Sequence, residues 1–188
     1  MQLSIYQVYR DNISDLLVVR STQDRGLNGE LNLDIREFPG EGVVLTGLTR
    51  QSVKDADEIL ATIYKGLKNR TNSSLIAHDK SSRSHVVLQF EISAESEDET
   101  EGKNGKHVRR SSLMFVDLAG SERVMKSGSI NNAQRLLEAQ SINKSIATLG
   151  LCIHMLSASS RKGVNPRHIP FRDCKLTRLL AEVSFFCT

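Results

Sequence analysis

The chain has no tryptophan, and its aromatics stop at 3 Tyr and 6 Phe. A surface that stacks nucleic-acid bases needs more rings than that, so no nucleic-acid partner is expected. Only 3 Pro are present, which excludes collagen-like and proline-rich disordered architectures. The 3 Cys stand at 152, 174 and 187, without CxxC or a Cys/His pair at zinc spacing. Neither a disulfide framework nor a zinc site is expected from them. No apolar run is long enough to cross a bilayer. Met1 to Arg10 lack the basic start and apolar block of a secretory signal, which makes a cytosolic or nuclear location the default expectation.

What is there is an ordinary globular mixture: 188 residues, 39% hydrophobic and 25% charged, able to bury one sizeable core. The formal charge of +3 is unevenly spread. Gly120 to Thr188 carry 10 Lys+Arg against 4 Asp+Glu, a net +6, while the preceding 119 residues carry 15 against 18, a net −3. A basic C-terminal third favours a polyanionic partner. Charge alone leaves nucleic acid, an acidic protein surface and plain solvation open.

Hydrophobic periodicity gives an α/β reading. Leu3 to Tyr9 predicts a strand, followed by a short amphipathic turn to Leu16-Leu17. Leu31 to Ile35 and Val43 to Leu45 predict a hairpin around Gly40-Glu-Gly42. Ser52 and Asp55 resemble a capping box, opening a helix with Val53, Ala56, Leu60, Ile63 and Leu67 on one face up to about Asn69. Val86, Leu88, Phe90 and Ile92 alternate as a strand, and Glu95 to Lys106 reads as a solvated connection. The continuous run Leu113 to Val116 predicts a central strand buried on both faces. A long helix follows from Asn131 to about Ser157, with Ile142, Ile146, Leu149, Ile153 and Leu156 as its stripe, and a last helix begins near Arg172.

Three constellations carry chemistry. In Phe115-Val-Asp-Leu-Ala-Gly-Ser-Glu122 an Asp ends a strand and a Gly follows three residues on. The carboxylate can hold a Mg²⁺-bound water, and the Gly N–H can approach a phosphate with no side chain in the way. The same pattern also ends many ordinary strands. Ser81-Ser-Arg-Ser-His85 offers clustered hydroxyls and an Arg able to pair with a carboxylate, or simply a serine-rich turn or a phosphorylation site. Arg172, Lys175 and Arg178 recur every three residues, so on a helix they share one face, either for docking or for solvation beside Asp173.

Taken in order, Ser-Ser-Arg-Ser-His, Asp-Leu-Ala-Gly-Ser-Glu, Ile142-Asn-Lys-Ser145 and Phe171-Arg-Asp-Cys-Lys-Leu-Thr-Arg178 resemble the kinesin motor domain. Upstream, Tyr9 to Leu17, Leu33 to Glu37, Gly42 to Thr49 and Gly66 to Arg70 are similar to further motifs of that family, so the resemblance covers about residues 4 to 181, and 182 to 188 depart from it. It implies a kinesin-type P-loop NTPase motor fold, a mixed central sheet flanked by helices. It also implies ATP with Mg²⁺, a microtubule partner and a place in the cytoplasm on the cytoskeleton.

By the same resemblance Ser81 would approach the γ-phosphate and its water, and Ser82 the Mg²⁺. Asp117 would hold a Mg²⁺-bound water, and the Gly120 N–H would sense the γ-phosphate. Arg83 and Glu122 would form the salt bridge that closes the two switches. The long helix would be the relay helix, with Arg123, Lys126 and Lys144 meeting tubulin beside Arg172, Lys175 and Arg178. His78, Gln140 and Leu151 stand where the family usually has other residues.

One motif is absent. Gly102-Lys103 is followed by Asn and Gly105-Lys106 by His, so the chain contains no G-x-x-x-x-G-K-[ST] to cradle phosphates. The expectation is that residues 1–188 correspond to the second, somewhat larger part of one motor domain, and that this chain alone hydrolyses no ATP. Its parent is expected to be an ATP-driven microtubule motor. The alternative is a non-catalytic microtubule-binding or regulatory kinesin-like protein.

Overall fold

In the computed structural model, which describes residues 1–18, 33–38, 42–74, 83–97, 106–120, 132–162 and 169–185, the chain begins with a hairpin. Strand β1 (Gln2–Tyr9) turns back into β2 (Asn12–Asp15) through Arg10 and Asp11, both at positive φ (49° and 59°). A two-residue turn of that hand matches the twist of the strands it joins. The sequence reading gave only an amphipathic turn here, because neither residue is the Asn or Gly that usually marks such a turn.

Strands β3 (Asp34–Phe38) and β4 (Gly42–Thr46) pair antiparallel as the expected hairpin, in a separate two-stranded sheet and with β3 starting later than the expected Leu31, which lies outside the described residues; the short β5 (Gln51–Ser52) adds to β1. Helix α1 (Ala56–Ser74) follows, then β6 (His85–Glu97) and β7 (Lys106–Asp117), which pair antiparallel along their length. The main sheet runs β2-β1-β6-β7. Helix α2 (Asn132–Lys162), a 3₁₀ turn at Phe171–Asp173 and helix α3 (Lys175–Phe185) complete the order.

Alternation along β1 divides the core into two layers. Tyr6 and Val8 point to one face with Ile13, Leu33, Leu45, Leu48, Val87 and Leu179, beneath the β3–β4 hairpin and α3. Leu3 and Ile5 point to the other with Leu16, Leu17, Val53 and Val86, beneath Ile59 and Ile63 of α1. Burying a side chain of this size contributes about 1.5–3 kcal/mol.

The structure corrects several readings. The cap of α1 is Asp55, whose carboxylate accepts the Glu58 N–H at 2.8 Å while Glu58 accepts the Lys54 N–H at 2.9 Å; Ser52 lies in β5. The packed face of α1 is Ile59, Ile63 and Gly66, and Leu60 (53%) and Leu67 (39%) are exposed. On α2 the buried positions are Ile142, Ser145 and Cys152, while Ile153 is 57% exposed. Strand β6 reaches Glu97 and β7 begins at Lys106, so the strands enter both ends of the span read as a connection, and 98–105 lie outside the described residues. Finally, β7 is an edge strand among the described residues: Met114 and Val116 pack on the core, but Leu113 and Phe115 are half exposed. An apolar run specifies burial only when elements exist to cover both faces.

Candidate functional site

The C-terminal end of β7 places Asp117 at the rim of the sheet, directly across from Val86. Its side chain is 71% exposed, with the Arg70 guanidinium 3.7 Å from the carboxylate. Arg70 comes from the last part of α1 and donates to the Ser84 carbonyl at 3.0 Å and the Ser84 hydroxyl at 3.3 Å. Each member of Gly66-x-x-Asn69-Arg70 thus has a physical reason. Gly66 lets α1 approach Ile5, Asn69 donates to the Leu16 carbonyl at 2.8 Å, and Arg70 spans the serine motif and Asp117.

His85, at the start of β6, ties three motifs together. Its Nδ1 accepts the Ala119 N–H at 3.0 Å, which leaves the ring proton on Nε2. Nε2 donates to the Ser145 hydroxyl at 2.8 Å, and that hydroxyl donates to the Ile142 carbonyl at 2.7 Å. The ring is buried, and burial holds its pKa below the ordinary histidine value, partly opposed by the charge of Asp117. The Asp-Leu-Ala-Gly segment is therefore coupled to the long helix through a neutral imidazole.

A second cluster sits beside it. The Arg83 guanidinium contacts the Glu138 carboxylate at 2.6 Å, and the Tyr9 hydroxyl donates to the same carboxylate at 2.5 Å. Burial pushes the Glu138 pKa up, but the hydrogen bonds from Tyr9 and Arg83 outweigh it and hold it below the usual glutamate value. The Tyr9 hydroxyl is pushed up to about 12, first by burial and then by Glu138.

Of the expected site residues, Arg83, Asp117 and Gly120 lie within one rim region, with Gly120 exposed. Ser81, Ser82, Glu122, Arg123, Lys126 and His78 lie outside the described residues. Among the described residues, Arg83 contacts the Glu138 carboxylate. Lys144 is exposed on α2. Arg172 sits on the 3₁₀ turn, not on a helix shared with Lys175 and Arg178, because α3 starts only at Lys175. Arg172 and Arg178 nevertheless converge, contacting Glu37 at 2.7 and 3.1 Å. Sequence reasoning missed Arg70, His85, Glu138 and Tyr9 as parts of the site; His85 stood inside a quoted motif, whereas Glu138 carried no local signal.

The kinesin motor domain family model matches residues 1–184. The chain belongs to the kinesin motor domain family. It is 39% identical to Kinesin-like protein 6 of Schizosaccharomyces pombe over 186 residues, covering 96% of this chain and 22% of that protein. Kinesin-related protein 5 of Dictyostelium discoideum is 37% identical, covering 97% and 16%. Among solved structures, a KIF14 dimer in the two-heads-bound state with AMP-PNP in complex with a microtubule superposes with a TM-score of 0.76 at 34% identity, covering 96% of this chain and 48% of that one. A fast kinesin gives 0.71 at 32%, covering 96% and 45%.

The chain thus spans a small part of its curated relatives and a little under half of each of these two structures. The kinesin fold assigns the sheet and helices above to one part of a P-loop NTPase motor fold. Kinesin motor domains bind ATP with Mg²⁺. The exposed Asp117 carboxylate is a hard oxygen donor of the kind Mg²⁺ or its water takes, and the exposed Gly120 carries no side chain to obstruct its N–H. Among the described residues no group of three or more His, Cys, Asp or Glu could hold a metal without the nucleotide.

Proposed function

We propose that this chain is the switch-bearing, track-facing portion of a kinesin-like microtubule motor that couples ATP binding and hydrolysis to movement. The observation that carries the reading is the link from the Ala119 N–H through His85 to Ser145. It joins the segment beside the proposed phosphate sensor to the helix that would face the track. ATP with Mg²⁺ would supply the phosphoryl chemistry. Asp117 would position a Mg²⁺-bound water, and the Gly120 N–H would report the γ-phosphate. A shift at Gly120 would pull on Ala119 and so on α2 through His85. Ser81 and Ser82 would complete the phosphate and Mg²⁺ contacts, and Arg83 would close the switches with Glu122. Arg83 also contacts the Glu138 carboxylate, which ties this residue to the start of α2.

Lys144, Arg172, Lys175 and Arg178, with Arg123 and Lys126, would form the basic surface for tubulin, placing the protein on the cytoskeleton in the cytoplasm. The net +6 of residues 120–188 supports this reading, since microtubule surfaces are acidic. The second reading, a non-catalytic microtubule-binding or regulatory protein, is favoured by His78 and Leu151, which stand where the family usually has other residues.

Co-sedimentation with microtubules and steady-state ATPase on the 188-residue chain separate the two. The chain is expected to pellet with microtubules and to turn over no ATP, because nothing in it cradles the phosphates. Failure to pellet at low salt would count against the track-facing surface under either reading. Measurable microtubule-stimulated turnover would overturn the dependence on a P-loop. Restored turnover when a P-loop-bearing motor segment is supplied selects the motor over the regulatory protein.

A further inference from the structure

The distal half of β7 reads Arg109-Arg110-Ser111-Ser112-Leu113, and Val108 through Leu113 are all exposed. Strand alternation puts Arg110 and Ser112 on one face and Arg109 and Leu113 on the other. Neither guanidinium has an ion-pair partner among the described residues. Ser112 lies across from Glu91, whose carboxylate is held by Arg50 at 3.1 Å. Two arginines three and two residues before a serine, with an apolar residue after it, form the charge pattern that arginine-directed serine kinases read on an extended substrate.

From this juxtaposition we infer that Ser112 is a phosphorylation site for an arginine-directed serine/threonine kinase. Arg109 and Arg110 are the recognition charges, and Leu113 the apolar anchor after the acceptor. The presentation is physical as well as sequential. Strand β1 ends its pairing at Gln2, opposite Glu91, so Ser112 sits at the root of a two-stranded β6–β7 ribbon that begins at Ser111 and Ile92, a kind of structure that is marginal alone. Such a ribbon opens locally at little cost and offers an extended strand to an enzyme cleft. In the transfer the Ser112 Oγ attacks the γ-phosphorus of ATP, its proton passes to the kinase's catalytic carboxylate, the bond to the β–γ bridging oxygen breaks and ADP leaves. The product carries about −1.5 to −2 charge beside Glu91, with Arg50 and Arg110 lining the same open cleft. Arg50 is then shared between the phosphate and Glu91.

The test treats the folded chain with the catalytic subunit of an arginine-directed serine kinase and ATP, and maps the product by mass spectrometry. One phosphate on Ser112 is expected, absent in S112A. The R109Q/R110Q double variant, altered only at exposed positions and checked by its melting curve, is expected to label about tenfold more slowly. A peptide spanning 106–117 serves as the positive control for the kinase. Labelling confined to other residues, undiminished labelling of S112A or of R109Q/R110Q, or labelling of the peptide without the folded chain would each overturn the assignment.

Discussion

His85 and Ser145 are 60 residues apart in the chain, and their Nε2 and Oγ atoms are 2.8 Å apart in a buried hydrogen bond. With the Ala119 N–H on the opposite nitrogen, the ring has a donor on one side and an acceptor on the other. Only the neutral tautomer with its proton on Nε2 satisfies both.

Acid should therefore break this link. The folded-state pKa of His85 is depressed below that of the unfolded chain, so its contribution to stability is present above about pH 6.5 and is lost as the pH falls through the folded value. Melting temperatures measured between pH 7.5 and 5.5 should fall for the native protein and fall less for H85Q. H85A should cost about 2–3 kcal/mol at pH 7.5, since it strands a buried N–H. Equal pH slopes for native protein and H85Q would contradict the neutral-imidazole assignment.

Glu138 serves Arg83 and Tyr9 at once, so its removal should be felt at both. E138Q is expected to destabilise by about 1–3 kcal/mol, and Y9F by about 1 kcal/mol through loss of a single hydroxyl contact. Because the Glu138 pKa lies below its unfolded value, its stabilisation holds above about pH 4.5 and disappears as acid protonates it. Urea titrations at pH 7 and pH 4 should show the gap between native and E138Q narrowing in acid.

Two helical glycines should respond oppositely to alanine. At Gly150 nothing lies within 4 Å of a new Cβ, so G150A should stabilise by about 0.5–1 kcal/mol through helix propensity. At Gly66 the Cβ would meet the fully buried Ile5 at 3.0 Å from Cδ1 and 3.3 Å from Cγ2. Crowding of this kind costs about 1–3 kcal/mol, more than propensity returns, so G66A should be net destabilising. Thermal melts of the two variants decide it.

Glu37 restrains Arg172 and Arg178 with an exposed carboxylate, which the hydrogen bonds from Arg172 and Arg178 hold below the ordinary value against the upward push of desolvation. E37Q should leave the melting temperature nearly unchanged and increase the fraction that pellets with microtubules at low salt. The increase should vanish as added salt screens the surface. R172E/R178E should reduce pelleting, and unaltered pelleting in both variants would remove these residues from the track-binding surface.

Local elements were legible where pattern and environment agree. Leu3 to Tyr9 was legible because its apolar residues recur every second position on each packed face, Leu3 and Ile5 on one and Tyr6 and Val8 on the other, and Val86 to Phe90 is paired with it throughout. The long helix was legible from its stripe, but its buried positions were not, because Ser145 and Cys152 are packed while Ile153 is in water. The run Leu113 to Val116 misled because its composition reflects two covered faces and the described residues cover one. At the site, Asp117 and Gly120 were readable as a motif. Glu138 was not, since its role depends on the fold bringing α2 against Tyr9 and Arg83, a relationship with no sequence period.

The strand order β2-β1-β6-β7 also sets an order of assembly. Its two outer pairings are hairpins, but the central one joins residues as distant as Gln2 and Glu91, 89 positions apart. Closing so long a loop carries an entropic cost that neither hairpin faces, and it is recovered only when the β1–β6 seam is sealed on both sides. Formation of the seam is therefore the expected slow step of refolding. Truncating Ile5 or Leu88 should slow refolding, while truncations at the exposed end of β7 should leave its rate alone.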